Sequence, residues 1–172
     1  MLHACCAPCA THVIDVLSQT YKLTILFHNP NIQPANEYKK RSEDIKKLCD
    51  IKNTELLLPE YDPETWFQSI KGYESEPEGR DRCSLCFNFR FKKAAETAAI
   101  SGYRKFATTL TVSPHKDPKV INSIGKKIAD KFGVKFLEAD FKKNDGYKIS
   151  CDLSRKYGLY RQNYCGCIYS IR

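Results

Sequence analysis

The sequence predicts an α/β fold, a mainly parallel sheet flanked by helices on both faces. Short apolar runs alternate with longer segments of helical period along the chain. Strands separated by helices imply βαβ units and a parallel sheet between two helical layers. Thiols and unusual polar residues gather directly after the predicted strands, where open parallel sheets bind ligands. No internal repeat, long linker or low-complexity run breaks the pattern, so residues 1–172 read as a single domain.

Met1–Ala4 reads as a very short leading strand, followed by ACCAPC and a helix over Thr11–Ser18 with Val13, Val16 and Leu17 on one face. Leu23–Phe27 is an apolar run suited to a buried strand, and His28-Asn29-Pro30-Asn31 follows it. Ala35–Ile51 is a helix with a charged outer side, Glu55–Leu58 a strand and Pro63–Ile70 a short helix. Gly72–Arg82, with Pro77 and Gly79, reads as a loop. Cys83–Ile100 carries Phe87, Phe91, Ala94, Ala95 and Ala98 at helical spacing and stops at Gly102. Lys105–Leu110 is a strand, followed by Thr111-Val112-Ser113-Pro114-His115. Pro118–Phe132 is a helix, Val134–Leu137 a strand leading to Asp140, and Tyr147–Tyr157 the last helix. Residues 159–172 form an aromatic, cysteine-bearing tail without clear period.

With 42% hydrophobic and 28% charged residues, the composition is that of an ordinary globular protein and not of a disordered chain. No stretch is long and apolar enough for a membrane span, and the start lacks the basic region of a signal peptide, so a cytoplasmic location is expected. The net charge of +8 favours a polyanionic partner, nucleic acid first. Most of the lysine clusters, such as Lys39-Lys40-Arg41 and Lys126-Lys127, fall on predicted helix faces exposed to solvent.

Seven of the nine cysteines fall into three tight groups: Cys5, Cys6 and Cys9; Cys83 and Cys86; Cys165 and Cys167. The first two groups contain C-x-x-C pairs at predicted helix starts, where unpaired N–H groups and the helix dipole favour thiolate or an anionic group. Three uses fit the residues. Paired C-x-x-C motifs are a common zinc pattern, although Cys9 and Cys83 are 74 positions apart. CAPC alone fits a redox dithiol but leaves five clustered thiols without a use. Iron–sulfur ligation uses three or four thiolates and leaves others for a second metal or for catalysis. Cys49 and Cys151 stand alone and read as small buried hydrophobes. His3 reads as a packed strand residue and His12 as structural, while His28 and His115 fall in the loops after strands.

LHACCAPC, FHNPNIQPANEYKKR, RCSLCFNFR, FATTLTVSPHK and YGLYRQNYCGCIYS occur in this order from Leu2 to Ser170. Together they resemble the cobalamin-independent epoxyqueuosine reductases, the QueH family. The resemblance implies a Rossmann-like, nucleotide-hydrolase (PP-loop-like) fold acting as one catalytic domain, with the tail closing on the site. ACCAPC stands where a phosphate-binding SGGxDS loop would be, which argues against ATP chemistry. The implied activity is reduction of epoxyqueuosine to queuosine at the wobble position of tRNA, the last step of queuosine biosynthesis. Removing an epoxide oxygen as water consumes two electrons and two protons, and side chains alone do not supply the electrons.

The implied cofactor is a 4Fe-4S cluster, with an additional iron ion as a second metal. The candidate ligands are Cys5, Cys6, Cys9, Cys83, Cys86, Cys165 and Cys167, undivided between the two. Asp140 is a candidate oxygen ligand or proton donor and Tyr164 a candidate proton donor; a helix cap and a packing residue are their structural alternatives. The implied partners are tRNA carrying epoxyqueuosine in its anticodon loop and an external electron donor, with ferredoxin and flavodoxin as candidates. Arg161, Gln162 and Lys39–Arg41 are candidate phosphate or base contacts. Tyr38, Tyr61, Trp66, Tyr73, Tyr147 and Tyr160 are the aromatics available for stacking. Asp140-Phe141-Lys142-Lys143 departs from the family's Asp-Phe-Arg-Lys and loses the bidentate fork of arginine. The competing class is a zinc-stabilised basic RNA-binding domain without catalysis.

Overall fold

The computed structural model describes residues 1–171, and Arg172, the end of the expected tail, lies outside the described residues. The sheet is built outward from β1, a strand of two residues, Leu2–His3. β1 pairs in parallel with β2 (Thr24–Leu26) on one side and β4 (Lys105–Thr108) on the other. β3 (Glu55–Leu57) continues the sheet beyond β2, and β5 (Lys135–Phe136) beyond β4. Among the described residues this gives five parallel strands in the order β3-β2-β1-β4-β5. The order reverses between β1 and β4, so the carboxyl ends of these strands frame the crevice used for ligands in doubly wound sheets. The α/β architecture is the one expected, and its sheet order is compatible with the nucleotide-hydrolase-like type.

Alternation along the strands divides the core in two. Leu2, Ile25, Phe27 and Ala107 face α1 (Ala7–Leu17) and α2 (Ala35–Ile51). Met1, Leu26 and Phe106 face α4 (Asp81–Ile100, after the short α3, Pro63–Ser69) and α5 (Pro118–Lys131). α6 (Gly146–Lys156) packs on α1. A third cluster joins Trp66 and Ile70 to the thiols of Cys86 and Cys167.

Three boundaries differ from expectation by two residues or more. α1 starts at Ala7, four residues early, because Pro8 presets the first turn and its missing N–H has no helical partner there. Its buried face is Ala10, Val13, Ile14 and Leu17, and Val16 lies off that stripe, 40% exposed. β4 stops at Thr108, not Leu110, where the Thr108 hydroxyl accepts the Leu110 N–H at 3.3 Å and the chain turns into a 3-10 segment over Leu110–Val112. α4 starts at Asp81, two residues before Cys83.

Two buried histidines lie beneath the crevice. His3 Nε2 donates to the His28 carbonyl at 3.3 Å, so Nδ1 accepts from the Thr108 hydroxyl at 3.0 Å. Burial and the Arg90 charge hold His3 well below its ordinary value, and burial, Arg90 and Lys93 bring His28 down to about 4. Both rings are therefore neutral in the fold.

Gly146 begins α6 directly after Asp145, which has φ 60°. A Cβ on Gly146 would lie 1.9 Å from the Phe141 carbonyl oxygen, a backbone atom held by its own loop. Gly146→Ala is expected to destabilise by about 1–3 kcal/mol, the usual cost of overpacking, read as a lowered thermal midpoint. Unfolded histidine protonates near 6.5 and His28 only near about 4, so the unfolded chain takes up the proton first as pH falls. Stability should be intact above about pH 6.5 and decline toward pH 4, with roughly 3 kcal/mol from His28 alone. Urea unfolding across that range checks this, and a His28→Gln protein should show the shallower decline.

Candidate functional site

Cys5 follows β1 by two residues, Cys6 caps α1 and Cys9 lies in its first turn. The three sulfurs lie within 4.8 Å of one another, and Cys5 and Cys6 are 3.8 Å apart. Among the described residues no other three cysteine, histidine or acidic side chains meet so closely. Thr109, just past β4, accepts the Cys5 N–H at 3.1 Å and directs its hydroxyl to the Cys5 sulfur at 3.4 Å. The triad thus stands where the strand order reverses.

Bonds from the Cys6 and Cys9 thiols hold the Cys5 thiol well below its ordinary value against the cost of burial, and Arg90 and Thr109 add to this. The bond to Cys5 pushes Cys6 up to about 12, and the bonds to Cys5 and Cys6 raise Cys9 well above its ordinary value. One thiolate is shared by three sulfurs, and a metal would displace the remaining protons.

A cleft opens at Cys5 and Cys9, lined also by Ser113–Lys116, Tyr147, Ser150 and the tail from Arg161 to Cys165. Lys116 Nζ donates to the Cys165 sulfur at 3.4 Å. Burial opposes that charge, yet Cys165, Cys5 and Cys9 outweigh it and raise Lys116 above its ordinary value. Cys83 and Cys86 lie close enough to Cys165 and Cys167 for charge on those thiols to raise them further. Burial is the larger cause for both and brings Cys86 to about 11. Cys83 accepts the Gly79 N–H at 3.2 Å, and Cys167 donates to Ser170 at 3.6 Å. The structure therefore brings all seven grouped thiols to one end of the sheet, but gathers only the first three tightly.

α2 pins the tail. Arg41, 2% exposed, pairs with Glu37 at 2.7 Å and donates to the carbonyls of Cys165 (3.0 Å) and Tyr164 (3.3 Å). Gln33 N–H donates to the Gly166 carbonyl at 2.8 Å. Gly166 has φ 135°, and a Cβ there would come 3.0 Å from Ile32, so the C-x-C bend depends on glycine.

Tyr164 lines the cleft, and its hydroxyl donates to the Gln33 carbonyl at 2.5 Å. Asp140 follows β5, with one buried carboxylate oxygen lacking a hydrogen-bond partner and Lys142 Nζ 4.0 Å away. Lys142 also donates to the Lys116 carbonyl at 2.8 Å, and Asp140 is not among the residues that line the cleft. Among the aromatics, Tyr147 lines the cleft with 39% exposure, whereas Trp66 is fully buried and Tyr38 stacks on Tyr61. His3 is a packed strand residue, and Cys49 lies in the core.

The profile of the family described as "Epoxyqueuosine reductase QueH" matches residues 1–172. The chain belongs to the QueH family. A relative named epoxyqueuosine reductase QueH from Streptococcus pyogenes serotype M1 is 38% identical over 178 residues, covering 100% of this chain and 70% of its own length. The Thermotoga maritima relative of that name is 37% identical over 174 residues, covering 99% of this chain and 89% of its own length. That of Haemophilus influenzae is 38% identical over 174 residues, covering 100% and 71%.

Set against the QueH motifs in the sequence, three site residues lacked an assigned role: Arg90, Thr109 and Lys116. Arg90 closes RCSLCFNFR one helical turn after Cys86, a spacing that puts both on one face. Thr109 and Lys116 flank the turn after β4, and only the pairing of β1 with β4 brings them to the triad. In metal-free protein near pH 7, iodoacetamide should label Cys5 before Cys6 and Cys9, read by peptide mass mapping. Equal rates for all three would contradict the shared-thiolate arrangement.

Proposed function

We propose that this chain reduces epoxyqueuosine in tRNA to queuosine, the last step of queuosine biosynthesis. The observation that carries this is a three-thiol site at the reversal of the sheet order, in a chain that matches the QueH family throughout. The donor set fits an iron–sulfur group: three clustered sulfurs, one favoured as thiolate, with a hydroxyl and a buried cation beside them. When bound, such a 4Fe-4S cluster supplies the electrons, which come from an external low-potential donor of the ferredoxin or flavodoxin class.

In this reading Cys5, Cys6 and Cys9 hold the cluster. Cys83, Cys86, Cys165 and Cys167, of which Cys165 lines the cleft, would hold the additional iron ion. The two candidate proton donors are Asp140, whose buried Oδ1 accepts no hydrogen bond, lies 4.0 Å from Lys142 Nζ and is outside the lining of the cleft, and Tyr164, which lines the cleft with its hydroxyl engaged by Gln33. Tyr147 and Arg161 at the cleft rim receive the splayed wobble nucleoside and its backbone, a mode suited to single-stranded loops. The chain acts as one catalytic domain with the tail, 159–172, closing on the site. No described helix is long and apolar enough to cross a membrane. We place the protein in the cytoplasm, where thiols stay reduced.

The test is nucleoside analysis of tRNA carrying epoxyqueuosine after anaerobic incubation with iron-loaded protein and a strong reductant. Queuosine should form, and failure to form it with a fully loaded sample rejects the assignment. Serine at any of the seven grouped cysteines should abolish turnover, while Cys49→Ser and Cys151→Ser should retain it.

A further inference from the structure

Arg90 lies on α4, one turn past Cys86, and is 1% exposed. Guanidinium stays charged at any pH a protein tolerates, and an unpaired buried charge costs several kcal/mol. Of the other buried arginines, Arg41 has the Glu37 carboxylate; Arg82 has none, donates to the carbonyls of Glu74 and Glu76, keeps Nε and one terminal nitrogen buried without a partner, and, unlike Arg90, does not line the cleft. Among the described residues no carboxylate lies within 4.0 Å of Arg90. Its one hydrogen-bond partner is neutral, the Asn29 side-chain oxygen at 2.5 Å, and its Nε is buried without a partner. Asn29 in turn donates to the Ala4 carbonyl at 2.8 Å, one residue before Cys5.

The guanidinium therefore faces the cleft with its balancing charge still to be supplied. Arg90 lines the same cleft as Cys5, Cys9 and Cys165 and follows Cys86 by one turn of α4. Lys116, in the same lining, already has a sulfur at 3.4 Å.

We propose that Arg90 is the fixed counter-cation of the redox group held by the thiols and that it sets the reduction potential of that group. This rests on the iron–sulfur reading above. Each electron that enters from the external one-electron donor adds negative charge to the site. A permanent positive charge, screened little in a buried place, lowers the energy of the reduced form relative to the oxidised one. Arg90 is a positioning residue in this role: Asn29 ties it to the strand that carries Cys5, and it acts on substrate only through the potential.

The test compares wild type, Arg90→Gln, Arg90→Lys and Asn29→Asp after anaerobic reconstitution. Iron and acid-labile sulfide are counted, and the midpoint potential is measured by dithionite titration followed by electron paramagnetic resonance. Arg90→Gln should load iron and shift to a more negative potential, and Arg90→Lys should stay near wild type. Asn29→Asp keeps the guanidinium but sets a carboxylate against it, and should also shift negative. A loaded Arg90→Gln protein with the wild-type potential overturns the inference. Should Arg90→Gln fail to fold or load, an unshifted Asn29→Asp overturns it just as well. A wild-type protein that binds no redox-active iron overturns the iron–sulfur reading first, and this inference with it.

Discussion

The pairing of a two-residue strand with a neighbour on each side is the constraint on which the site depends. Leu2 and His3 have no length to fix their own position; β2 and β4 fix it, through ladders to Ile25, Leu26, Ala107 and Thr108. Cys5 then leaves the end of the strand, with its N–H taken by Thr109 at 3.1 Å. Everything that places the triad is inherited from those ladders. A slip of one residue would turn Leu2 and His3 to opposite faces and carry the thiols away from Thr109.

The electrostatics of the crevice follow from burial around that strand. Neutral histidines lie beneath it, and of the cations that line the cleft Lys116 has a thiol partner and Arg90 has none. This is the reverse of an ordinary core, where charge is paired within the protein. A region with surplus positive charge and several sulfurs favours an anionic occupant, in keeping with the cluster proposed above.

Much of this was legible in the sequence. The five strands and the major helices follow from periodicity, because each apolar run has one or two buried faces and little else to specify it. The grouping of seven thiols, and their position after strands, also follows from spacing. The unexpected parts came from contacts distant in sequence. Nothing local shows that Thr109 meets Cys5 across 104 positions, or that Arg41 reaches the carbonyls of Cys165 and Tyr164. Val16 failed for another reason: its place in the helix lies off the buried stripe, and apolar character alone does not reveal that. For Tyr164, the Gln33 carbonyl that accepts its hydrogen bond comes from another loop and is invisible in the sequence.

Because Arg41 and Gln33 hold the tail by its carbonyls, they recognise main chain and are indifferent to most of the side chains they secure. The clasp also sets an order of events during synthesis. The triad is placed only once β4 and Thr109 have been made, and Cys165 follows Thr109 by 56 positions, so at usual elongation speeds the tail leaves the ribosome roughly 3–11 s later. For that interval the nascent chain presents a three-sulfur site that the tail has yet to reach. Insertion of metal is therefore a matter of timing as well as affinity, and delivery after the clasp has closed meets a different, more enclosed receptor than delivery before it.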